Sequence, residues 1–133
     1  MAKTKFLYDS FVENGEIQYT VTGIEGDIPT TLEIPEEVYI ESSKRYYPVT
    51  RIGIEAFKGL TQIEHVSFSK NLKRVLQSAF EDCSSLTSFA MGNITHIYPW
   101  AFARCEKLAN ASLSSLEYID NYSFFKCASL TKA

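Results

Sequence analysis

The chain has 133 residues, 45% hydrophobic and 22% charged, with 6 glycines, 4 prolines and 3 cysteines, which excludes disorder and collagen-like fibre and describes one soluble globular domain. A net charge of -3 excludes the basic footprint of a nucleic-acid binder. The longest stretch free of charged side chains, Cys83 to Ala103, carries Ser, Thr, Asn, Gly, His and Pro, so no membrane insertion is expected.

Met1 to Ser10 is mixed polar and aromatic and lacks the apolar core of a secretory signal, so the chain reads as cytoplasmic or as a protein whose signal has been removed. Ile17, Tyr19 and Val21 alternate as a strand. Gly23 and Gly26 form an isolated turn signal without the strand-to-helix context of a phosphate loop. Val38-Tyr39-Ile40 and Tyr46-Tyr47 flank the polar turn Glu41 to Arg45 as a hairpin. Residues 1–50 hold 9 acids and 4 bases and residues 51–133 hold 7 acids and 9 bases, which points to two parts with differently charged faces.

From residue 49 onward the chain repeats. Ala56-Phe57, Ala79-Phe80, Ala101-Phe102 and Ser123-Phe124 recur at intervals of 23, 22 and 22 residues. Ahead of each Phe stand two aliphatic slots, filled by Val49 and Ile52, Leu72 and Val75, Ile94 and Ile97, and Leu116 and Ile119. Behind it come Leu60, Cys83, Cys105 and Cys127, then Ile63, Leu86, Leu108 and Leu130, and then an apolar-x-apolar pair: Val66 and Phe68, Phe89 and Met91, Ala111 and Leu113. A unit this short encloses no core alone, so copies must stack and equivalent residues form interior ladders. The apolar-x-apolar segments predict strands of a parallel sheet, segments such as Leu72 to Val75 a second face, and Ala56, Phe57 and Leu60 one short helical turn.

The pattern aliphatic-x-x-Ile-Gly-x-x-Ala-Phe-x-x-Cys-x-x-Leu-x-x-apolar-x-apolar, best kept in Val49 to Phe68 and Leu72 to Met91, resembles the BspA-like leucine-rich repeats of bacterial and protist surface proteins. The segments Asn14 to Val21, Leu32 to Val38 and Tyr47 to Gly53 are similar to the opening module of that family. Two departures stand out. The Gly after Ile is kept at Gly53 but replaced by Leu76, Tyr98 and Asp120, and the Pro after the strand stands at Pro35 but gives way to Ser69, Gly92 and Ser114. The resemblance implies an α/β leucine-rich-repeat solenoid, mostly parallel β with short helical turns, in a right-handed coil of 22–23-residue repeats with an N-terminal β-hairpin cap. It implies one domain over 1–133, with 1–48 a capping module containing a first partial repeat and 49–133 the stacked repeats. No comparable cap follows Leu130, which leaves a longer array, self-capping or pairing with another molecule open.

Chemistry is sparse. Cys83, Cys105 and Cys127 recur at the repeat period, which places them on one apolar ladder as inert thiols. Neighbouring rungs lie within disulfide range, but three cannot all pair. No Cys-x-x-Cys or other ligand spacing is present, and no metal or cofactor is expected. His65 and His96 occupy outward slots on different faces, outside any motif with a nucleophile or carboxylate. Asn93-Ile94-Thr95, Asn110-Ala111-Ser112 and Asn121-Tyr122-Ser123 fit the glycosylation pattern.

What remains is the surface. The principal sheet shows Glu33, His65, Ser67, Ser88, Ala90, Asn110 and Ser112, a small polar face. The return face shows Arg51, Arg74, His96 and Tyr118 with Lys70 and Lys73 beside them, basic at one end. A third row runs through Tyr98, Trp100 and Tyr122, with Tyr118 close by, and the lone Trp100 fills an outward slot held elsewhere by Glu55, Ser78 and Tyr122. The expected function is a non-enzymatic protein-interaction or adhesion module. Its partner-binding candidates are Tyr98, Trp100, Tyr118 and Tyr122 at the aromatic end and Arg51, Lys73 and Arg74 at the basic end. The resemblance implies a place on the cell surface or secretion, with a host or cell-surface protein as partner. A glycan-binding module stacking on the aromatics, a structural spacer, and self-association through the C-terminal repeat are the alternatives.

Overall fold

The computed structural model describes residues 3–90, 93–111 and 114–130. Met91, Gly92, Ser112, Leu113 and Ala133, to which the repeat assigns ladder, turn and outward slots, lie outside the described residues.

Two hairpins open the chain. β1 (Lys5–Glu13) and β2 (Glu16–Glu25) pair antiparallel through Asn14-Gly15, whose φ values of 53° and 80° are the left-handed pair that a two-residue hairpin turn requires. β3 (Thr31–Glu33) follows. Then β4 (Glu37–Ile40) pairs antiparallel with the first half of β5 (Arg45–Ile52), Val38 with Tyr47 and Tyr39 with Tyr46. The expected hairpin is there, but Arg45, expected in the turn, already pairs with Ile40. The second half of β5 turns to a different partner and runs parallel to β2.

The repeats then fill two sheets alternately. β6 (His65–Ser67), β8 (Ser88–Ala90) and β10 (Asn110–Ala111) stack in parallel onto β3, while β7 (Arg74–Val75), β9 (His96–Ile97) and β11 (Tyr118–Ile119) stack in parallel onto β5. Inward residues meet their equivalents: Leu32, Val66, Phe89 and Ala111 share one register line, and Val21, Ile52, Val75, Ile97 and Ile119 share another. All of these are buried except Ile119 in the last described repeat, which is 42% exposed.

Between the sheets run the ladders. Phe57, Phe80 and Phe102 are completely buried and Phe124 is half-buried, with successive ring centroids 5.2, 5.2 and 5.4 Å apart. Phe68 and Phe89 form a second file beside them, Phe89 lying 4.8 Å from Phe102. The cysteines hold the slot the period assigns them, as free thiols. Each donates to the carbonyl of the spine Phe one repeat earlier, Cys83 to Phe57 at 3.2 Å, Cys105 to Phe80 at 3.2 Å and Cys127 to Phe102 at 3.0 Å. Burial pushes the Cys83 thiol up to about 12 and raises those of Cys105 and Cys127 as well.

The expected helical turn is corrected. Among the described residues there is no helix, and the Ala-Phe segments are chained turns with bonds from residue i+3 to i, such as Ala56 N to Gly53 O and Leu60 N to Phe57 O. The reason lies in the backbone. Glu55, Ser78 and Trp100 have φ of 57°, 58° and 64°, and four residues later Gly59, Asp82 and Arg104 have 76°, 63° and 58°, so only three residues separate one left-handed position from the next. That leaves no room for a helical turn to continue. The amides freed by this bond across repeats: Phe57, Phe80 and Phe102 donate to Ala79, Ala101 and Ser123.

The substituted glycine slot leaves the geometry intact. Gly53, Leu76, Tyr98 and Asp120 all donate their amide to the preceding layer, to Val21, Ile52, Val75 and Ile97 respectively. Gly53 alone meets β2, where an added Cβ would lie 3.1 Å from Val21 O, so the glycine belongs to the junction with the hairpin. That first hairpin, β1–β2, covers the N-terminal end of the core: Phe6 meets the Phe57 ring edge-on at 6.3 Å, and Tyr8, Ile24 and Ile28 pack beside it.

Candidate functional site

Side chains flanking the spine Phe residues, Ala103 excepted because it is buried, form a row along the stacked turns. At its start the row is charged. Lys58 sits 3.5 Å from Glu55 and 3.8 Å from Glu81 of the next repeat, and Glu81 in turn pairs with Arg104 at 3.2 Å. From Arg104 onward it is aromatic. Trp100 and Tyr122 stack face to face, centroids 4.8 Å apart and planes 6° from parallel, and Phe125 stands edge-on to both at 5.3 and 5.9 Å. The Arg104 guanidinium lies 5.3 Å from the Phe125 centroid and 5.9 Å from that of Trp100, so one cation joins the charged row to the ring cluster. Lys126 sits 5.5 Å over Phe125. Tyr122 is 49% exposed and Trp100 half-buried, so the cluster offers its outer ring faces and edges to solvent.

The expected single row of Tyr98, Trp100 and Tyr122 is therefore corrected. Tyr98 lies on the return face, where its ring contacts are His96 at 6.3 Å and Tyr118 at 6.1 Å. Its hydroxyl accepts a 2.8 Å hydrogen bond from Arg74 Nη1. Tyr118 is 5.9 Å from His96 and donates its hydroxyl to Asp120, a bond that raises its own pKa. The left-handed residue at Trp100 sends two aromatic positions only two apart to different surfaces. Phe125 and Arg104, which complete the real cluster, were not among the expected residues. Their slots, filled by Lys58, Glu81 and Ala103 and by Gly59, Asp82 and Lys126 in other repeats, show no periodic signal.

The basic end is modified too. Arg51 is not free: its Nη2 donates to Glu13 Oε1 at 2.7 Å and its guanidinium lies 3.8 Å over the Phe11 ring, both on the first hairpin. Arg74 is held by Tyr98, and Lys73 is exposed. On the principal sheet the small polar face stands as expected from Glu33 to Asn110, Ser112 lying outside the described residues, with His65 Nδ1 2.9 Å from Ser88 Oγ and 3.3 Å from Thr87 Oγ1. That pair lies open on the sheet rather than in a cleft. Of the glycosylation matches, Asn93 is exposed, while the Ser123 hydroxyl is buried and donates to Tyr98 O at 3.1 Å. Among the described residues no group of His, Cys, Asp and Glu has the geometry of a metal site.

Parallel strands stacked in register over ladders of Leu, Ile, Val and Phe, closed by turns of fixed geometry, define a leucine-rich-repeat protein. Residues 31–133 match the BspA type leucine rich repeat region in six copies, and the chain belongs to that family. A leucine-rich repeat protein from Bacteroides capillosus is 30% identical, covering 86% of this chain and 83% of its own, with a TM-score of 0.74. The same fold appears in a leucine rich repeat protein of T. pallidum, at 24% identity and a TM-score of 0.79, and in a leucine rich cell surface protein of Faecalibacterium prausnitzii, at 22% and 0.78. This chain covers 94% and 99% of itself in those matches but spans only 55% and 42% of the two proteins. No curated protein matches the chain.

Proposed function

We propose that this protein is a non-catalytic interaction module that binds a protein partner through the cluster of Trp100, Tyr122, Phe125 and Arg104. The observation that carries the reading is the composition and setting of that cluster: a tryptophan, a tyrosine and an arginine, the residue types that dominate binding energy at interfaces, sit with Phe125 on the outer turns of the stacked repeats. The left-handed slot does not demand an aromatic, since Glu55 and Ser78 fill it elsewhere.

Display on a cell surface or secretion, and adhesion as the biological role, follow the family and the cell-surface protein of Faecalibacterium prausnitzii among its structural relatives. On the same reading the chain is one domain, capped by residues 1–48, and its repeats wind as a right-handed coil, the hand that crossovers between parallel strands adopt. The test uses a panel of immobilised extracellular-matrix and bacterial surface proteins with wild-type and Trp100→Ala chains. A partner bound about tenfold more weakly by Trp100→Ala, at low and high salt alike, supports the aromatic cluster. Equal binding by both chains, or binding abolished by salt alone, refutes it.

A further inference from the structure

We infer that the return face carries a second, independent site, for a tetrahedral oxyanion ester (sulfate or phosphate) held between Arg51, Lys73 and Arg74. It goes beyond the aromatic cluster, which lies on the outer turns. Three observations converge on it. The first is a small pocket of about 20 Å³, partly open to solvent and lined by Glu13, Gln18, Thr50, Arg51, Lys73 and Arg74. That is room for one water molecule or one ligand oxygen. The second is a pairing that disfavours the fold. Arg51 and Arg74 are direct partners across the β5–β7 ladder, and Arg74 is the direct partner of His96 across β7–β9, which sets three basic side chains in file on strands about 4.8 Å apart. Like charges directly opposite one another destabilise a sheet, and an unfavourable pairing of this kind marks a site shaped by something other than folding.

The third is that both guanidiniums are already held in place while keeping free donors. Arg51 spends Nη2 on Glu13 and rests on Phe11, and Arg74 spends Nη1 on Tyr98. A guanidinium carries five N–H donors, so each retains several. Among the described residues Lys73 and Arg74 form no ion pair. Three cations against the one carboxylate of Glu13 leave a locally positive patch on a chain whose net charge is -3. An ester oxygen in the cavity would bridge Arg51 and Arg74 and relieve their repulsion, with the remaining oxygens facing Lys73. Glu13 opposes it, occupying part of Arg51 and repelling the incoming anion. It therefore sets the affinity from the other side.

The experiment titrates inorganic sulfate and inorganic phosphate separately into the full chain at constant ionic strength, followed by amide chemical shifts. Saturable shifts at residues 50–51, 73–74 and 98, with millimolar affinity, are expected. Arg74→Gln should weaken binding about tenfold, and Glu13→Gln should tighten it about threefold, a gain that damage to the fold cannot mimic. Trp100→Ala should leave it unchanged. Tighter binding of sulfate assigns a sulfated ligand, and tighter binding of phosphate a phosphorylated one. Shifts that do not saturate, that spread over all lysines and arginines, or that are indifferent to Glu13→Gln overturn the site.

Discussion

Truncating the middle ring of the spine, Phe80→Ala, tests the stacked-repeat architecture most directly. Phe80 is fully buried and has four partners from the stacked repeats: Phe57 and Phe102 along the spine at 5.2 Å each, the Phe68 ring edge-on at 5.9 Å, and the Cys105 thiol that donates to its carbonyl. Lost transfer energy and an unfilled cavity cost about 3–5 kcal/mol for a buried Phe. Phe124→Ala removes the same atoms from a half-buried ring whose spine neighbour is Phe102 alone, at 5.4 Å, so about half that loss is expected. In a chain of this size 1 kcal/mol moves Tm by roughly 3–4 °C, so Phe80→Ala should melt roughly 10–20 °C below wild type and Phe124→Ala roughly half as far. Urea unfolding followed by circular dichroism, with Trp100 fluorescence as a second probe, measures both. A loss below about 1 kcal/mol at Phe80, or equal losses at the two positions, would refute the ladder.

Three further outcomes follow from the same geometry. A thiol reagent without denaturant should label half-buried Cys127 first, and Cys83 and Cys105 only as fast as the protein opens, read by mass spectrometry of timed samples. Because burial raises the Cys83 pKa to about 12 while the unfolded thiol titrates near 8.5, the folded state holds its proton longer. Stability is then full below about pH 8.5 and falls as pH climbs toward the folded value, by up to about 1.4 kcal/mol per pH unit for that thiol, and Cys83→Ala should flatten the decline in urea melts across this range. Ser78→Gly should raise stability by about 0.5 kcal/mol, since φ of 58° strains serine and suits glycine, and an unchanged or lower Tm would contradict that backbone assignment.

The core was legible because four copies average out the accidents of any single segment: Phe57, Phe80, Phe102 and Phe124 identify one slot where a lone Phe would identify nothing. β1 had no such support. Phe6 and Tyr8 turn to the core with Leu7 outward, but Asp9 and Ser10 are both exposed and beyond them the parity changes, with Phe11 partly covered and Val12 exposed, so the simple alternation of a strand is broken. The hairpin expected in this region was the one around Glu41 to Arg45, and the turn at Asn14-Gly15 that joins β1 to β2 was not among the expectations. The turns misled for a different reason. Ala56, Phe57 and Leu60 have helical spacing, but Glu55, Ser78 and Trp100 are not residue types that announce a left-handed backbone, so the break between them is visible only in the fold. Site residues were the least legible, since a ladder is periodic by necessity and a binding surface is made from the slots that vary, as Lys58, Glu81, Ala103 and Phe125 do.

Trp100 shows how that division works within one residue. Its backbone obeys the scaffold: φ of 64° matches Glu55 and Ser78, and for a bulky side chain such a conformation costs about 1–3 kcal/mol. Its ring contributes in the other direction, with one face on Tyr122 and an edge contact to Phe125, each worth about 0.5–1.5 kcal/mol beyond buried area. That backbone cost is common to every non-glycine residue in the slot, Glu55 and Ser78 included, so it does not count against the ring. The ring contacts leave the surface with a preordered pair of rings braced by Arg104, which Glu81 holds from the layer before. A ring fixed in this way loses little rotamer freedom when a partner covers it, and that low ordering cost is the physical advantage of building a contact on stacked turns rather than on a free loop.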